Sequence, residues 1–271
     1  MSTDARRKYS FGIALLIPLF LAASPVYQTT NFKVEAPTVD VARKVAERAE
    51  LCRVQAARDW LGVELSPWTS PCPIKVKLTT GEAGGLTSFG FSRGKVSDRE
   101  MSVEGRLDRI LASAIPHEVT HTIFADYFGG PMPRWADEGA SLLSEDQLEH
   151  QRHDRIVLKL LIRRGDFALK KLFEMEDYPR DLMGFYGQGY SVSRFLIEMG
   201  GRPRFLCFVR DGLRTNWDVA TKTHYSLDNV RELERAWRAW HRVQNEAVAS
   251  NETQDPKVIQ TAASVDPDLR P

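Results

Sequence analysis

Two histidines four residues apart, His117 and His121, lie in a stretch whose apolar residues recur at helical spacing: Leu107, Ile110, Leu111, Ala114, Ile115, Val119 and Ile123. On an α-helix such a pair lies nearly one above the other, so both imidazoles face the same way. They can then share one metal ion at about 2.0–2.1 Å. Glu118 completes the pattern His117-Glu118-Val119-Thr120-His121 and stands beside that ion, where a carboxylate can take a proton from water. Pro116, directly before the pair, lacks an N–H and clashes with the preceding turn, so it must kink the helix or begin a new one. Either outcome leaves the two histidines on one face.

A catalytic zinc takes a third protein ligand and leaves a position open for water. Phe124 and Tyr127 occupy the places where a metzincin has its glycine and third histidine, which removes that subclass. The segment Arg134-Trp135-Ala136-Asp137-Glu138-Gly139-Ala140-Ser141 instead resembles the Trp-x-x-Glu-Gly-x-Ala segment of the gluzincins, most closely the aminopeptidase-N-like group. The resemblance implies that Glu138 is the third ligand, with Asp137 as the fallback. Downstream, Tyr186-Gly187-Gln188-Gly189 looks like the family's Tyr-x-x-Gly helix start, which implies that Tyr186 steadies the oxyanion; Tyr190, one turn along, competes for that role. The likeness runs from about Gly84 to Gly201.

The implied fold is α+β and zincin-like: a small N-terminal mixed β-sheet with helices, packed on a mostly helical C-terminal lobe, with one zinc ion in the cleft between. The implied activity is hydrolysis of peptide bonds in a peptide or protein substrate by water activated on the metal, with Glu118 as general base. The interval from His121 to Glu138 is a little shorter than in the named aminopeptidases, and no Gly-x-Met-Glu-Asn segment precedes the histidines. Aminopeptidase specificity is therefore not implied, and endo- and exopeptidase cuts stay open. Two other readings remain: a silent binding or surface protein on the same fold, and a zinc hydrolase of a non-protein amide or ester such as cell-wall material.

The balance of residues narrows the partners. At 42% hydrophobic, 27% charged and a formal net charge of +1, the chain suits one globular domain and offers no basic face for nucleic acid. Arg6, Arg7 and Lys8 followed by the apolar run Phe11 to Ala23 read as an export signal over residues 1–24, directing the chain to the periplasm or outside; an uncleaved signal would tether it to the membrane. The run is too short to span a bilayer comfortably. Three cysteines, Cys52, Cys72 and Cys207, leave an odd thiol, with Cys52 to Cys72 the first candidate for a bridge and three small buried hydrophobes the alternative.

In chain order, the sequence predicts a long amphipathic helix over Val39–Leu61 and a half-buried strand over Ile74–Leu78. A twisted Gly-rich hairpin edge follows over Gly81–Gly94, able to pair with an extended peptide, and then a strand at Met101–Val103. Helices are expected at Trp135–Leu143, Gln147–Arg163, Gln188–Met199, Pro203–Arg210 and about Asp228–Val243. This places the catalytic domain at 32–245, with a sheet and metal-helix lobe over 32–130 and a helical lobe over 131–245, before a disordered tail over 246–271. His150 and His153 read as surface residues on a charged helix. His224 is a transition-state donor only if a loop carries it over the metal. Asp126 and Glu145 are both candidates to orient a ligand imidazole from behind.

Overall fold

The computed structural model describes residues 24–254, and side chains as far as Gln244. The export signal lies outside the described residues except for Ser24, as does the tail beyond Gln254. Among the described residues no helix is long and apolar enough to cross a membrane. The architecture is α+β: a small mixed sheet and many helices.

Strands β1 (Val26–Gln28) and β2 (Phe32–Glu35) form a short antiparallel pair not expected from the sequence. Phe32 and Val34 alternate with polar residues, but the strand has only 4 residues, too few for a period of two to stand out. The long helix α1 (Val39–Leu61) follows, its first turn capped by the Thr38 hydroxyl and its end closed by Gly62 in the left-handed region at φ 70°. It crosses over to β3 (Cys72–Leu78), which pairs parallel to β2. Then β4 (Gly84–Ser92) and β5 (Lys95–Gly105) form the expected hairpin, with β5 much longer than the expected Met101–Val103. The sheet order is β1-β2-β3-β5-β4, so β4 is an edge, bulged between Gly90 and Phe91.

The helix that carries His117 and His121 begins with one short turn, α2 (Leu107–Arg109), passes through a π-helical turn over Ile110–Ala114, and becomes α3 (Ile115–Phe128). Pro116 falls in the first turn of α3, where a missing N–H costs nothing, so the new-helix alternative holds. The π-type bond runs from the Ile115 N–H to the Ile110 carbonyl. The next donor in that series would be Pro116, and the Leu111 carbonyl takes Arg48 Nε at 2.9 Å instead.

Helix α4 (Arg134–Ser141) ends in a 3-10 turn, Leu142–Ser144, and α5 (Gln147–Arg163) has the expected bounds. After the short α6 (Leu169–Phe173), α7 (Leu182–Arg214) starts six residues earlier than expected because Asp181 caps it, accepting from the Gly184 N–H at 2.9 Å. Its one non-helical residue is Gly201, at φ 80° and ψ 164°, where the sequence reading separates two helices. An unexpected helix, α8 (Trp217–Tyr225), precedes α9 (Val230–Gln254). Two expected boundaries need correction: the domain starts by Val26 rather than at residue 32, and helix continues to Gln254 where a disordered tail was expected from 246. No proline or glycine interrupts residues 246–254, so nothing local stops the helix.

Two cores meet along α3. Ile115 and Val119 pack with β2, β3, β5 and α1, whereas Ile123 and Phe124 pack with the aromatic interior of the helical lobe. Cys52 and Cys72 share the sheet-side core as free thiols, so the first candidate for a bridge gives way to buried hydrophobes at these two positions, while Cys207 is only partly buried. Burial pushes the Cys52 thiol up to about 11 and the Cys72 thiol up to about 12, as expected of small hydrophobes.

Candidate metal centre

His117 and His121 project from one face of α3 with ring centroids 4.8 Å apart. Glu138 reaches them from α4: its Oε2 is 3.4 Å from Nε2 of His117 and 3.9 Å from Nε2 of His121. One ligand atom from each of these three residues lies within 4.8 Å of the others. Donors around a tetrahedral zinc stand ~3.3 Å apart, so this set fits the ion with small adjustments of side-chain torsions.

The outer ring nitrogens are held as a metal site requires. Asp137 Oδ1 sits 2.7 Å from Nδ1 of His121, with the Ser141 hydroxyl at 3.2 Å. Glu145 Oε1 lies 2.8 Å from Nδ1 of His117, approaching out of line with the ring N–H, and Glu145 is itself fixed by the Ser113 hydroxyl at 2.8 Å. A carboxylate thus lies beside Nδ1 of each imidazole, and both Nε2 atoms lie toward Glu138. The Tyr178 hydroxyl, from the loop before α7, donates to Glu138 Oε1 at 2.7 Å.

The electrostatics agree with a cation site. Burial opposes ionisation of Glu138, but the His117 contact and the charge of His121 outweigh it and hold the carboxyl down to about 2. Burial also opposes a charge on His117, yet Glu138, Glu145 and Glu118 draw it well above the ordinary histidine value. His121 is raised likewise, against burial, by Asp137. Several buried carboxylates converge on two imidazoles, which favours whatever positive charge lies between them.

Glu118 is almost fully buried and stands apart from the three ligands. The Thr87 hydroxyl of β4 donates to its Oε2 at 2.6 Å. A Cβ on Gly85 would stand 2.6 Å from Glu118 Cγ and Oε1, so only glycine lets the edge strand close over the carboxylate. A cavity of about 570 Å³ opens above these groups, with Tyr186 and Met183 of α7 in its wall. Burial and the nearby Glu138 charge raise the Tyr186 hydroxyl far above its ordinary value, so it stays protonated.

Other expectations separate cleanly. Tyr190 is fully buried against the rings of His150 and His153, at 5.7 and 5.6 Å, and does not line the cleft. His153 is a correction: it is buried at the rear of the cleft rather than on the surface, and burial pushes it down to about 4. His150 is half-buried, its Nε2 3.1 Å from the Leu142 carbonyl. His224 pairs with Asp211 at 2.8 Å, away from the cleft lining. Asp126 accepts from the Trp68 indole at 2.8 Å and pairs with Arg99, so Glu145 is the carboxylate behind His117. Asp137, the fallback ligand, stands behind His121.

Sequence reasoning missed Thr87, Ser113 and Tyr178. For Thr87 a signal was present, since Gly85, Thr87 and Phe89 share one face of a strand by alternation. Comparison of the chain with protein-family models gave no match, and comparison with curated proteins gave none. The functional reading therefore stands on the residues of the site.

Proposed function

We propose that this chain is a zinc-dependent peptidase of the gluzincin type, on a zincin-like fold, exported from the cytoplasm. The observation that carries the reading is the division of work among carboxylates around one pair of imidazoles. Glu138 approaches both inward nitrogens, Asp137 and Glu145 lie behind the outer ones, and Glu118 is held clear against β4 by Thr87.

His117, His121 and Glu138 would hold one zinc per chain, which when bound supplies Lewis acidity toward a water and a carbonyl. This chain's own residues do the rest. Glu118 accepts the proton of the attacking water and returns it to the departing amine, with Thr87 fixing one of its oxygens. Tyr186 donates its hydroxyl hydrogen to the scissile carbonyl oxygen as charge builds there. As an edge, β4 offers unpaired backbone groups to an extended peptide. Export rests on residues 1–23 alone.

The experiment is a pair of variants read by metal analysis, thermal melting and turnover. Glu118→Gln is expected to keep one zinc per chain and its fold while losing ~10²–10⁴-fold in turnover. Glu138→Ala is expected to lose the metal. Undiminished turnover in Glu118→Gln sinks the mechanism, and zinc well below one per chain in the wild type sinks every enzymatic version.

A further inference from the structure

A second cavity, of about 630 Å³, opens off the metal cleft and shares Phe89, His121, Asp137 and Tyr178 with it. Its walls come from separate parts of the chain: Phe89 and Phe91 from the end of β4, Met132 from the loop before α4, Phe173 and Met175 from α6 and just beyond, and Trp217 from α8. These are aromatic rings and thioethers, and of the charged groups also on the lining two have partners. Asp137 is bonded to His121 at 2.7 Å. Arg134 donates from Nε to the Glu176 carbonyl at 2.8 Å and lays its guanidinium over the Tyr178 ring at 4.3 Å. Glu174 and Glu176 are exposed residues on the lining.

The walls combine a fixed side and an adaptable one. Trp217 packs so closely on Gly212 that a Cβ there would meet its ring at 2.3 Å, and it lies tilted against Phe173 at 5.0 Å between centroids. Met132 and Met175 are flexible and polarizable, so they can fit rings and branched chains of different outline. The opposite arm of the cleft differs in character, with Glu82, Glu149 and Arg152, the last two paired at 3.4 Å. That arm suits solvated or polar groups.

Resting on the peptidase reading above, we infer that this pocket sets specificity: the substrates are peptide bonds flanked on one side by a bulky apolar residue, aromatic or large aliphatic, seated between Phe91, Met132 and Trp217. The residue on the other side of the bond lies toward the polar arm and is not selected for apolar bulk.

The test is cleavage of a mixed library of end-blocked peptides by the zinc-loaded full chain, with and without a chelator, and the cut sites read by mass spectrometry. Phe, Trp, Leu or Met is expected at one flanking position over Asp or Gly by roughly ten- to hundredfold, the worth of burying such a side chain. Leu213→Asp, which places a carboxylate on an exposed stretch of the pocket wall, is expected to cut that preference at least several-fold. Chelator-sensitive cuts with no apolar preference overturn the inference and leave the peptidase reading standing. If no peptide is cut, that reading fails, and the pocket is judged by binding alone. N-acetylphenylalaninamide is expected to bind the metal-free Glu118→Gln protein more tightly than N-acetylglycinamide, followed by Trp217-region fluorescence or NMR. Equal binding of the two overturns the inference whatever the turnover.

Discussion

The sheet-side core and the helix-side core are built from different materials. The former is mostly alanine and valine, with Phe32, Ile74 and Met101 its larger members. The latter is dense in rings: Trp135 stacks on Phe173 at 4.4 Å, and Phe205, Phe208, Trp217 and Trp237 complete the packing. α3 belongs to both, and His117 and His121 sit where one core hands over to the other. The proposed chemistry divides along the same seam. The sheet side positions the proton acceptor, through Thr87 and Gly85, while the helical side supplies the third ligand and both carboxylates behind the imidazoles. Metal binding and proton transfer should therefore fail separately when the two sides are disturbed.

The largest difference is expected from a pair of glycine substitutions. At Gly139, next to Glu138, a Cβ would stand 2.2 Å from the Gly189 carbonyl oxygen, and at Gly189 it would stand 2.6 Å from that of Trp135. Both obstacles are backbone, so α4 and α7 must move apart. Gly139→Ala should cost at least ~2–3 kcal/mol and release the metal by displacing Glu138. At Gly85 the obstacle is the Glu118 side chain, which can turn away. Gly85→Ala should therefore melt within ~1 kcal/mol of wild type and keep its metal, yet lose turnover. Melting curves with metal content and turnover check both; a Gly139→Ala protein that retains its zinc would break the division.

How far the sequence reaches this division depends on the range of the contacts involved. The four-residue spacing of His117 and His121 fixes a shared face by local geometry alone, and α1 and α5 were legible because periodicity and end signals are also local. The same geometry would have removed Asp126: at about 100° per residue it lies roughly 140° around the helix from His121, on the far side. Glu145 was harder, because its place behind His117 depends on the 3-10 turn that ends α4. Tyr178 carried no signal, since a loop residue meets Glu138 across 40 positions only once both lobes are folded. The helix-side aromatic pocket was invisible for the same reason, while β1 and β2 were too short to show a period.

A smaller effect sharpens the contrast inside the site. Asp137→Asn and Glu145→Gln remove the charge behind one imidazole each and should weaken zinc binding by ~10–100-fold without unfolding the protein. Thr87→Val acts from the sheet side. It should leave zinc affinity within about twofold and lower turnover instead, because it loosens Glu118 rather than a ligand. Competition with a chelator of known affinity separates the three. A loss of metal in Thr87→Val equal to that in Glu145→Gln would mean that the two sides are not independent.

The smallest effect is a pH dependence confined to the helical side. The Trp237 indole donates to the Ser191 hydroxyl at 3.0 Å, and that hydroxyl in turn meets Nε2 of His241, a chain that needs a lone pair on the histidine. Burial, with the Arg194 charge adding to it, pushes His241 down to about 4. A histidine with a depressed folded-state pKa is protonated more readily in the unfolded chain. Its stabilising contribution is thus complete above the ordinary histidine value near ~6.5 and is lost as the pH falls through the window down to about 4. The amount is on the order of 2 kcal/mol, allowing for partial exposure to solvent. All six histidines lie at or beyond His117, so the strands and α1 carry none. Hydrogen exchange on metal-free protein should therefore show α7 and α9 losing protection between pH 6.5 and 4 ahead of the sheet, and His241→Gln should flatten that dependence. The remaining histidines are common to both proteins, so the difference between them reports His241. Identical pH profiles for wild type and His241→Gln would remove this histidine from the account of how the ring-rich side is held.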